Sequence, residues 1–275
     1  MSDVLVAGKS GQLAQALAHV SEQSLYFRGR KDHNFFDVDA TARLIDQLCL
    51  KTFINTAAYT AVDQAESEPD VAYHLNAILP RSIAKACKLT GTKLLHISTD
   101  YVFNGEKPVG EYYTPEDAPD PINVYGRTKL DGENAVLDIG GDARIIRTSW
   151  LISQFGKNFL TTMVQLMQSG KPLNIVNDTW GTPTIATDLA AFLLLGDDKD
   201  GKQIITHYSS GAQKTWYEIA FRIYKTLKAD SYLSPISASQ YPALAKRGSN
   251  TSLIPPHQDK GLFESHLDKA VISAL

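Results

Sequence analysis

Tyr125 and Lys129 are the residues whose types and spacing most directly indicate chemistry. They are four positions apart in residues 124–137, which have helical periodicity, so both side chains lie on one face of the predicted helix. A phenol has an unperturbed pKa of about 10, and a nearby ammonium lowers that pKa by stabilising the phenolate. The pair can therefore protonate a carbonyl oxygen while a hydride is transferred to the carbonyl carbon.

A strand that precedes this helix adds a third polar group. Residues 94–99 are largely apolar and end in Ser98 and Thr99. A hydroxyl at the end of a strand can donate a hydrogen bond to the same carbonyl oxygen and polarise it. The pattern Tyr-x-x-x-Lys alone also occurs on ordinary surface helices. Combined with the strand-end hydroxyl, it predicts that Thr99, Tyr125 and Lys129 are catalytic residues.

A glycine turn at the start of the chain has the context that a dinucleotide site requires. Residues 3–7 predict a buried strand, Gly8 and Gly11 follow, and residues 12–20 predict a helix. Glycines let the backbone approach a pyrophosphate, whose charge is favoured at a helix N-terminus. A tight strand-to-helix turn without a ligand is the alternative interpretation.

The end of the second predicted strand bears on the choice of cofactor. That strand ends near residue 27, and Arg28 is followed by Arg30 and Lys31 with no acid among them. An arginine here can bind a ribose 2′-phosphate, whereas an acid would bind the 2′-hydroxyl. We therefore expect NADPH, with NADH as the alternative. Asp37 and Val38 are expected to flank the adenine.

Strands and helices alternate along the first part of the chain. Helices are predicted over 41–50, capped by Thr41, and over 70–89, where Pro80 kinks or splits the helix, and a further strand is predicted over 144–150. This alternation predicts an α/β fold, a Rossmann-type doubly wound parallel sheet covered by helices on both faces.

The chain is long enough for a main domain and a smaller companion. We expect an NAD(P)-binding domain over 1–150, with a return at about 182–205. A smaller C-terminal substrate-binding domain is expected over about 151–181 and 206–275, and its periodicity weakens after Ser231. The cleft between the two domains would hold the substrate.

Composition and charge exclude several classes of partner. The net charge of -3 gives no reason to expect binding to nucleic acid or to an anionic membrane. No apolar run approaches the roughly 20 residues that span a bilayer. The two cysteines, Cys49 and Cys87, are far apart and form no metal-binding pattern. We expect a cytoplasmic protein without a metal.

Seven sequence blocks together resemble one protein family. They are GKSGQL at 8–13, NTAAYTAVDQAESEP at 55–69, STDYVFNG at 98–105, PINVYGRTKLDGE at 121–133, RTSW at 147–150, GKNF at 156–159 and NDTWGTPT at 177–184. The chain resembles the extended short-chain dehydrogenase/reductases and, within them, the dTDP-4-dehydrorhamnose reductase family. The combination is much more specific than any single block.

The resemblance implies an NAD(P)H-dependent reduction of the 4-keto group of dTDP-4-dehydrorhamnose to dTDP-L-rhamnose, with Tyr125 as the proton donor. It implies a cofactor site lined by Gly8, Ser10, Gln12, Leu13, Asp37, Val38, Ala57, Ala58 and Tyr59. The residue pattern adds Gly11, Arg28, Tyr125 and Lys129 to that site. The nucleotide-sugar substrate is expected to contact Thr99, Asp100, Tyr101, Tyr125, Trp150 and Asn158.

Two departures from the family pattern concern nucleotide binding and assembly. The family commonly has Arg-Pro near the C-terminus, where Arg helps to hold the nucleotide. Arg247 matches it and is followed here by Gly248. Glutamates that join subunits through magnesium in some members correspond to Ala16 and Thr187. We therefore expect a monomer or a weak homodimer.

Two other functions stay open. One is a reductase of a different nucleotide-activated keto sugar. The other is a non-catalytic NADP-binding regulatory subunit, a role that the β subunit of methionine adenosyltransferase has on this fold. The complete set of Thr99, Tyr125 and Lys129 weighs against the second, because a protein that only binds needs no proton donor.

Overall fold

A parallel sheet forms the centre of the molecule. The structure, a computed structural model, describes residues 3–195, 204–255 and 262–275. Its strands are β1 (Val4–Ala7), β2 (Tyr26–Arg28), β3 (Thr52–Asn55), β4 (Lys93–Thr99), β5 (Ala143–Thr148), β6 (Leu151–Ile152), β7 (Leu173–Val176), β8 (Trp180–Gly181), β9 (Thr184–Ile185), β10 (Ile205–Tyr208), β11 (Lys214–Thr215) and β12 (Leu233–Ile236). Six of them form one sheet in the order β2-β1-β3-β4-β5-β10, and every neighbouring pair is parallel.

Helices cover both faces of this sheet. They are α1 (Gln12–Val20), α2 (Val38–Gln47), α3 (Val62–Ala65), α4 (Pro69–Tyr73), α5 (Leu79–Thr90), α6 (Val124–Ile139), α7 (Phe159–Gln168), α8 (Ala186–Leu195), α9 (Trp216–Leu227) and α10 (Leu262–Ser273), with a π-helical turn at His74–Ile78 and 3₁₀ turns at Asp100–Val102 and Ala238–Gln240. Alternate strand residues point to opposite faces, so Leu5 packs with α2, α5 and α6, and Val6 packs with α1 and α8. The predicted fold class is confirmed.

A third hydrophobic cluster lies away from the central sheet. It joins α7, α9 and α10 to β7 through buried aliphatic and aromatic side chains such as Val164, Ile223 and Phe263. Three small sheets pair β6 with β9, β7 with β12 and β8 with β11. Among the helices described, none is long and apolar enough to cross a membrane.

The second helix begins earlier than the sequence predicts. α2 starts at Val38 because the Asp37 side chain is its cap, accepting a hydrogen bond of 2.9 Å from the Ala40 amide. Thr41, the predicted cap, lies inside the first turn and its hydroxyl donates to the Asp37 carbonyl. The start predicted at residue 41 was therefore wrong by one helical turn.

Other differences lie where the backbone is irregular. The helical segment that contains Pro80 passes through the π-helical turn before α5, and Pro80 sits in the first turn of α5, where its missing N–H is tolerated. β5 ends at Thr148, because Trp150 has a φ of 46° that no strand accommodates. After Ser231, β12 and α10 are regular elements that the weak periodicity did not indicate.

Candidate active site

One edge of the sheet collects the predicted site residues. Gly8 follows β1, Arg28 ends β2, Ala57 follows β3, Thr99 ends β4 and Trp150 follows β5. The carboxyl ends of parallel strands share one edge, and the strand order reverses between β1 and β3, which is where a crevice for a ligand forms. The structure thus brings the predicted cofactor and catalytic residues to the same edge.

The turn after β1 has features of a ligand cradle. Gly8 has a φ of 97°, and a Cβ atom on it would lie 2.6 Å from the Thr56 hydroxyl and 2.9 Å from the Ala57 amide nitrogen, so only glycine fits. Gly11 caps α1 without a side-chain hydrogen bond, which leaves amides of the first turn available. Gln12 Oε1 is buried and has no partner among the described residues.

The other predicted cofactor residues surround this turn with different side-chain roles. Leu13 is buried in the core beneath α1, so a ligand there would meet its backbone. The Asp37 carboxylate is engaged in capping α2. Tyr59 is fixed through its backbone, because its amide donates to Asn76 Oδ1 at 2.8 Å and its carbonyl accepts from Asn76 Nδ2 at 3.1 Å. Asn76 was not predicted as a site residue.

An acid, Asp32, also lies at the strand end near Arg28, and the sequence analysis did not consider it. The Gly29 amide donates to Asp32 Oδ2 at 2.9 Å, and Lys9 Nζ lies 3.6 Å from the same oxygen. A carboxylate therefore folds back beside the strand end, close to Arg28. Both charges bear on the choice between NADPH and NADH.

The predicted catalytic residues meet where α6 packs on the turn after β4. The Asn123 side chain caps α6 by accepting from the Gly126 amide at 2.8 Å. A Cβ atom on Gly126 would fall well inside 3.0 Å of the Tyr101 carbonyl oxygen, so the helix and the turn are in backbone contact. This close approach places the Tyr125 phenol near the Thr99 hydroxyl, which acts on the pKa of the phenol.

The group that lowers the pKa of Tyr125 is not the one that the sequence predicts. Burial is the largest effect on Tyr125 and raises its pKa far above the usual value, whereas the Thr99 side chain lowers that pKa and the Asp100 charge raises it. Lys129 Nζ donates to the Ile97 carbonyl at 2.7 Å. The sequence predicts that Lys129 lowers the pKa of Tyr125, but in the structure it is Thr99 that lowers this pKa. The phenol therefore keeps its proton at neutral pH, the state that an acid requires.

Asp100 links the two halves of the site. Its carboxylate accepts from Thr99 at 3.1 Å and from Thr251 at 2.5 Å, and burial raises its pKa to about 7. Thr251 lies 151 positions further along the chain. No local pattern in the sequence marks Thr251, because its role depends on this long-range contact.

Trp150 is packed between two neighbours. Its ring stacks on Trp216 with centroids 3.8 Å apart, and the Gly181 backbone lies so close that a Cβ atom there would overlap the indole. Trp216 is the partly buried member of this stack. Asn158 uses its side chain to cap α7, accepting from the Leu160 amide at 2.9 Å.

Arg247 lies beside Tyr101, whose ring packs against that of Tyr125. Its guanidinium donates to the Asp63 oxygens at 3.0 and 2.8 Å and also interacts with the Tyr101 side chain. The same Asp63 Oδ1 accepts from the amides of Leu244 and Ala245. Asp63, which the sequence interpretation did not assign a role, therefore anchors the residue expected to hold the nucleotide.

Steric crowding explains why glycine rather than proline follows Arg247. A Cβ atom on Gly248 would overlap the backbone of Asn104 and Gly105, and the Asn250 amide donates to the Gly105 carbonyl at 3.0 Å. The chain segment around 248 therefore lies directly on the loop after β4. A proline here would require the two segments to separate.

Replacing Asp63 with alanine is expected to free the segment 244–247. A hydrogen bond to a charged group contributes about 1.5–3 kcal/mol, so amide hydrogen exchange at Leu244 and Ala245 should accelerate about tenfold or more. Asp178→Ala is a matched control, because Asp178 likewise accepts from Ser237 and from the Ala238 amide. Equal exchange at 244–245 in both variants would contradict the anchoring role.

The fold and the residues at its carboxyl edge define a class of protein. A doubly wound parallel sheet with a glycine turn after its first strand, and a Thr/Tyr/Lys set beside that turn, is typical of the extended short-chain dehydrogenase/reductases. The comparisons with known proteins then give the family.

The family described as RmlD substrate binding domain matches residues 1–263. The chain is 36% identical over 267 residues to a dTDP-4-dehydrorhamnose reductase of Sinorhizobium fredii (strain NBRC 101917 / NGR234), covering 93% of this chain and 88% of the relative. It is 33% identical over 269 residues to that of Escherichia coli (strain K12), covering 91% and 89%. The chain belongs to the dTDP-4-dehydrorhamnose reductase family, as predicted, and is an NAD(P)H-dependent oxidoreductase.

Solved structures agree with this assignment. The crystal structure of dTDP-4-dehydrorhamnose reductase (rfbD) from Bacillus anthracis str. Ames, in complex with NADP, matches with a TM-score of 0.91 and 31% identity over 99% of both chains. A UDP-glucose 4-epimerase from Brucella ovis in complex with NAD, at 16% identity and a TM-score of 0.78, shares the fold.

Proposed function

We propose that this chain reduces the 4-keto group of dTDP-4-dehydrorhamnose to give dTDP-L-rhamnose, with NADPH as the reductant. The observation that carries the proposal is the pair of adjacent hydroxyls, Thr99 and Tyr125, at the carboxyl edge of the sheet beside the Gly8 turn. The names of the relatives and the NADP bound by the Bacillus anthracis protein support this choice of substrate and cofactor.

The crevice between β1 and β3 fits a dinucleotide. The Gly8 cradle, the free amides at the start of α1 and the orphaned Gln12 Oε1 suit the polar groups of such a ligand. We assign its binding to the following residues: Gly8, Ser10, Gly11, Gln12, Leu13, Arg28, Asp37, Val38, Ala57, Ala58, Tyr59, Tyr125 and Lys129. When bound, NADPH supplies the hydride. NADH is the alternative, since Asp32 lies near Arg28.

The chain's own residues handle the proton and the carbonyl oxygen. Thr99 donates a hydrogen bond to that oxygen and polarises the keto group, and Tyr125 releases its proton to the same oxygen. We assign to the Lys129 ammonium, which shares a face of α6 with Tyr125, the stabilisation of the phenolate that remains, in addition to the effect of Thr99. Burial excludes water from these groups and keeps the phenol protonated until the substrate's oxygen gains charge.

The substrate side of the proposed site draws on both parts of the chain. We assign the nucleotide sugar to Asp100, Tyr101, Trp150, Asn158 and Arg247. We also propose the two-domain division expected from the sequence, since the cluster of α7, α9 and α10 has its own core. β10 extends the part that belongs with the central sheet to Tyr208.

A different keto sugar is the second candidate function. The chain is 34% identical over 232 residues to a dTDP-4-keto-6-deoxy-D-glucose reductase of Streptomyces niveus, covering 82% of this chain and 79% of the relative. That name describes the same hydride chemistry on a different sugar. The regulatory alternative receives less support, because Thr99, Tyr125 and Lys129 are all present and brought together.

The test follows NADPH absorbance with the purified chain and either sugar nucleotide. We expect substrate-dependent oxidation with dTDP-4-dehydrorhamnose at a kcat/KM well above that with dTDP-4-keto-6-deoxy-D-glucose. The reverse preference would establish the second candidate. Tight NADPH binding without reduction of either sugar would contradict both reductases and favour a regulatory subunit.

A further inference from the structure

Lys129 carries its charge in a buried environment. Its side chain is 2% exposed, and its Nζ donates to the Ile97 carbonyl at 2.7 Å. Burial lowers the pKa of Lys129 to about 8. A carbonyl dipole alone is a weak partner for a buried ammonium, so this charge depends on a further group.

Glu133 lies one helical turn beyond Lys129 on α6, so the two side chains share a face. The Glu133 carboxylate is 1% exposed, and its charge acts on Lys129 in the direction that raises the lysine pKa. Arg147 on β5 holds that carboxylate at both oxygens, with Nε donating to Oε1 at 2.9 Å and Nη2 donating to Oε2 at 2.6 Å. A bidentate pair of this kind fixes the carboxylate in one orientation.

The surroundings of Arg147 favour a role for this pair beyond the stability of the fold. Ser98, Arg147 and His207 are register neighbours on β4, β5 and β10. Each has a buried polar atom without a partner among the described residues: Ser98 Oγ, Arg147 Nη1 and His207 Nε2. A buried ion pair contributes little compared with an apolar pair of equal volume, and unpartnered polar atoms cost free energy. We therefore infer that this row of polar side chains has a role other than packing.

We propose that Glu133 is a positioning residue that keeps the Lys129 ammonium charged on the helix that carries Tyr125, and that Arg147 holds the Glu133 carboxylate in place for this purpose. The proposal rests on the role given to Lys129 in the proposed function. It adds two residues, from α6 and β5, that act on the reaction only through Lys129.

The other ionisable groups that face this region do not replace Glu133. On β4, burial lowers the pKa of His96 well below its usual value, so His96 is neutral. On the 3₁₀ turn, burial raises the pKa of Asp100 to about 7 and that of Tyr101 to about 12. On α5, burial raises the pKa of Cys87 to about 12, so this thiol is neutral. On β5, Arg147 has the same sign as Lys129.

The test measures the pKa of Lys129 directly in the full chain, without substrate. Protein labelled with ¹³C at the lysine ε-carbon is titrated by NMR, and the Lys129 signal is assigned by its loss in Lys129→Met. An opposite charge at close range shifts a pKa by about one unit or more, so Glu133→Gln should lower the Lys129 titration midpoint by about one pH unit or more. Asp131→Asn, on another face of the same helix, should leave it unchanged.

A second variant covers the case in which Glu133→Gln does not fold. Glu133→Leu combined with Arg147→Met removes both charges and leaves an apolar pair, which a core tolerates. Its Lys129 midpoint should also fall, because the Glu133 charge that raises the Lys129 pKa is gone. A midpoint unchanged from the unaltered chain, in either variant, would overturn the proposal.

The kinetic readout separates this proposal from the proposed function. In the active enzyme, the alkaline limb of the kcat/KM profile should move to lower pH in Glu133→Gln by the same amount as the NMR midpoint. A fall in kcat/KM without movement of that limb would indicate a purely structural role and overturn the proposal. A shifted NMR midpoint in a chain that reduces neither sugar would support Glu133 and contradict the reductase.

Discussion

Replacing Tyr125 with phenylalanine is expected to lower kcat for the sugar nucleotide by about 10²–10⁴-fold, the usual contribution of a general acid, with little change in the Kd for NADPH. Phenylalanine keeps the ring, which packs edge-on against Tyr101 with centroids 5.5 Å apart. Only the hydroxyl that faces Thr99 is lost. The measurement is steady-state kinetics together with a fluorescence titration of NADPH.

Tyr208→Phe provides the matched control for this prediction. Tyr208 is another phenol whose pKa burial raises, but it lies on β10 against Phe192, on the face covered by α8. Its replacement should leave kcat within about a factor of two, as expected for a small change outside the site. If Tyr125→Phe retained more than a tenth of the activity, another group would have to deliver the proton.

Replacing Gly126 with alanine is expected both to destabilise the protein and to reduce its activity about a hundredfold. Helix propensity alone favours alanine over glycine by about 1 kcal/mol. A Cβ atom at this position, however, would meet the Tyr101 carbonyl oxygen, which belongs to the backbone and cannot rotate away. Overpacking of this kind costs about 1–3 kcal/mol, so the net effect on the free energy of unfolding is a loss.

The effect on activity follows from the position of Gly126. It adjoins Tyr125 and its amide is bound by the Asn123 cap, so a displaced helix start moves the acid away from Thr99. A displacement of about 1 Å at a reacting group costs about a hundredfold in rate. Urea unfolding and kinetics should be compared with Asn134→Ala, on the exposed face of α6, which should change neither. An active and stabilised Gly126→Ala protein would contradict the backbone contact.

The sequence predicted the parts of the site that depend on local signals. The first helix and the start of α6 have clear periodicity, and the glycine turn directly follows an apolar strand. Parallel strands bring their carboxyl ends to one edge, so the meeting of Gly8, Thr99 and Tyr125 could be predicted from their places in the chain. The family blocks added the substrate class.

The remaining features depend on contacts that no local pattern encodes. Asp37 was interpreted as a ligand for adenine, although it also caps α2, because one side chain suits both roles. Trp150 adopts a left-handed backbone conformation in which its ring packs against Trp216 and Gly181. Asp63 and Thr251 gain their roles from partners that lie far away in sequence.

From those distant partners we expect an order of events in folding. The bonds between Arg247 and Asp63 and between Thr251 and Asp100 close loops of 184 and 151 positions, whereas β1, β2 and β3 with their helices pair near neighbours in sequence. Long-range contacts form late, because the entropy of loop closure must be overcome first. During refolding, or synthesis on the ribosome, the dinucleotide crevice can therefore mature while the sugar side is still open, and competence to bind NADPH should precede competence to turn over.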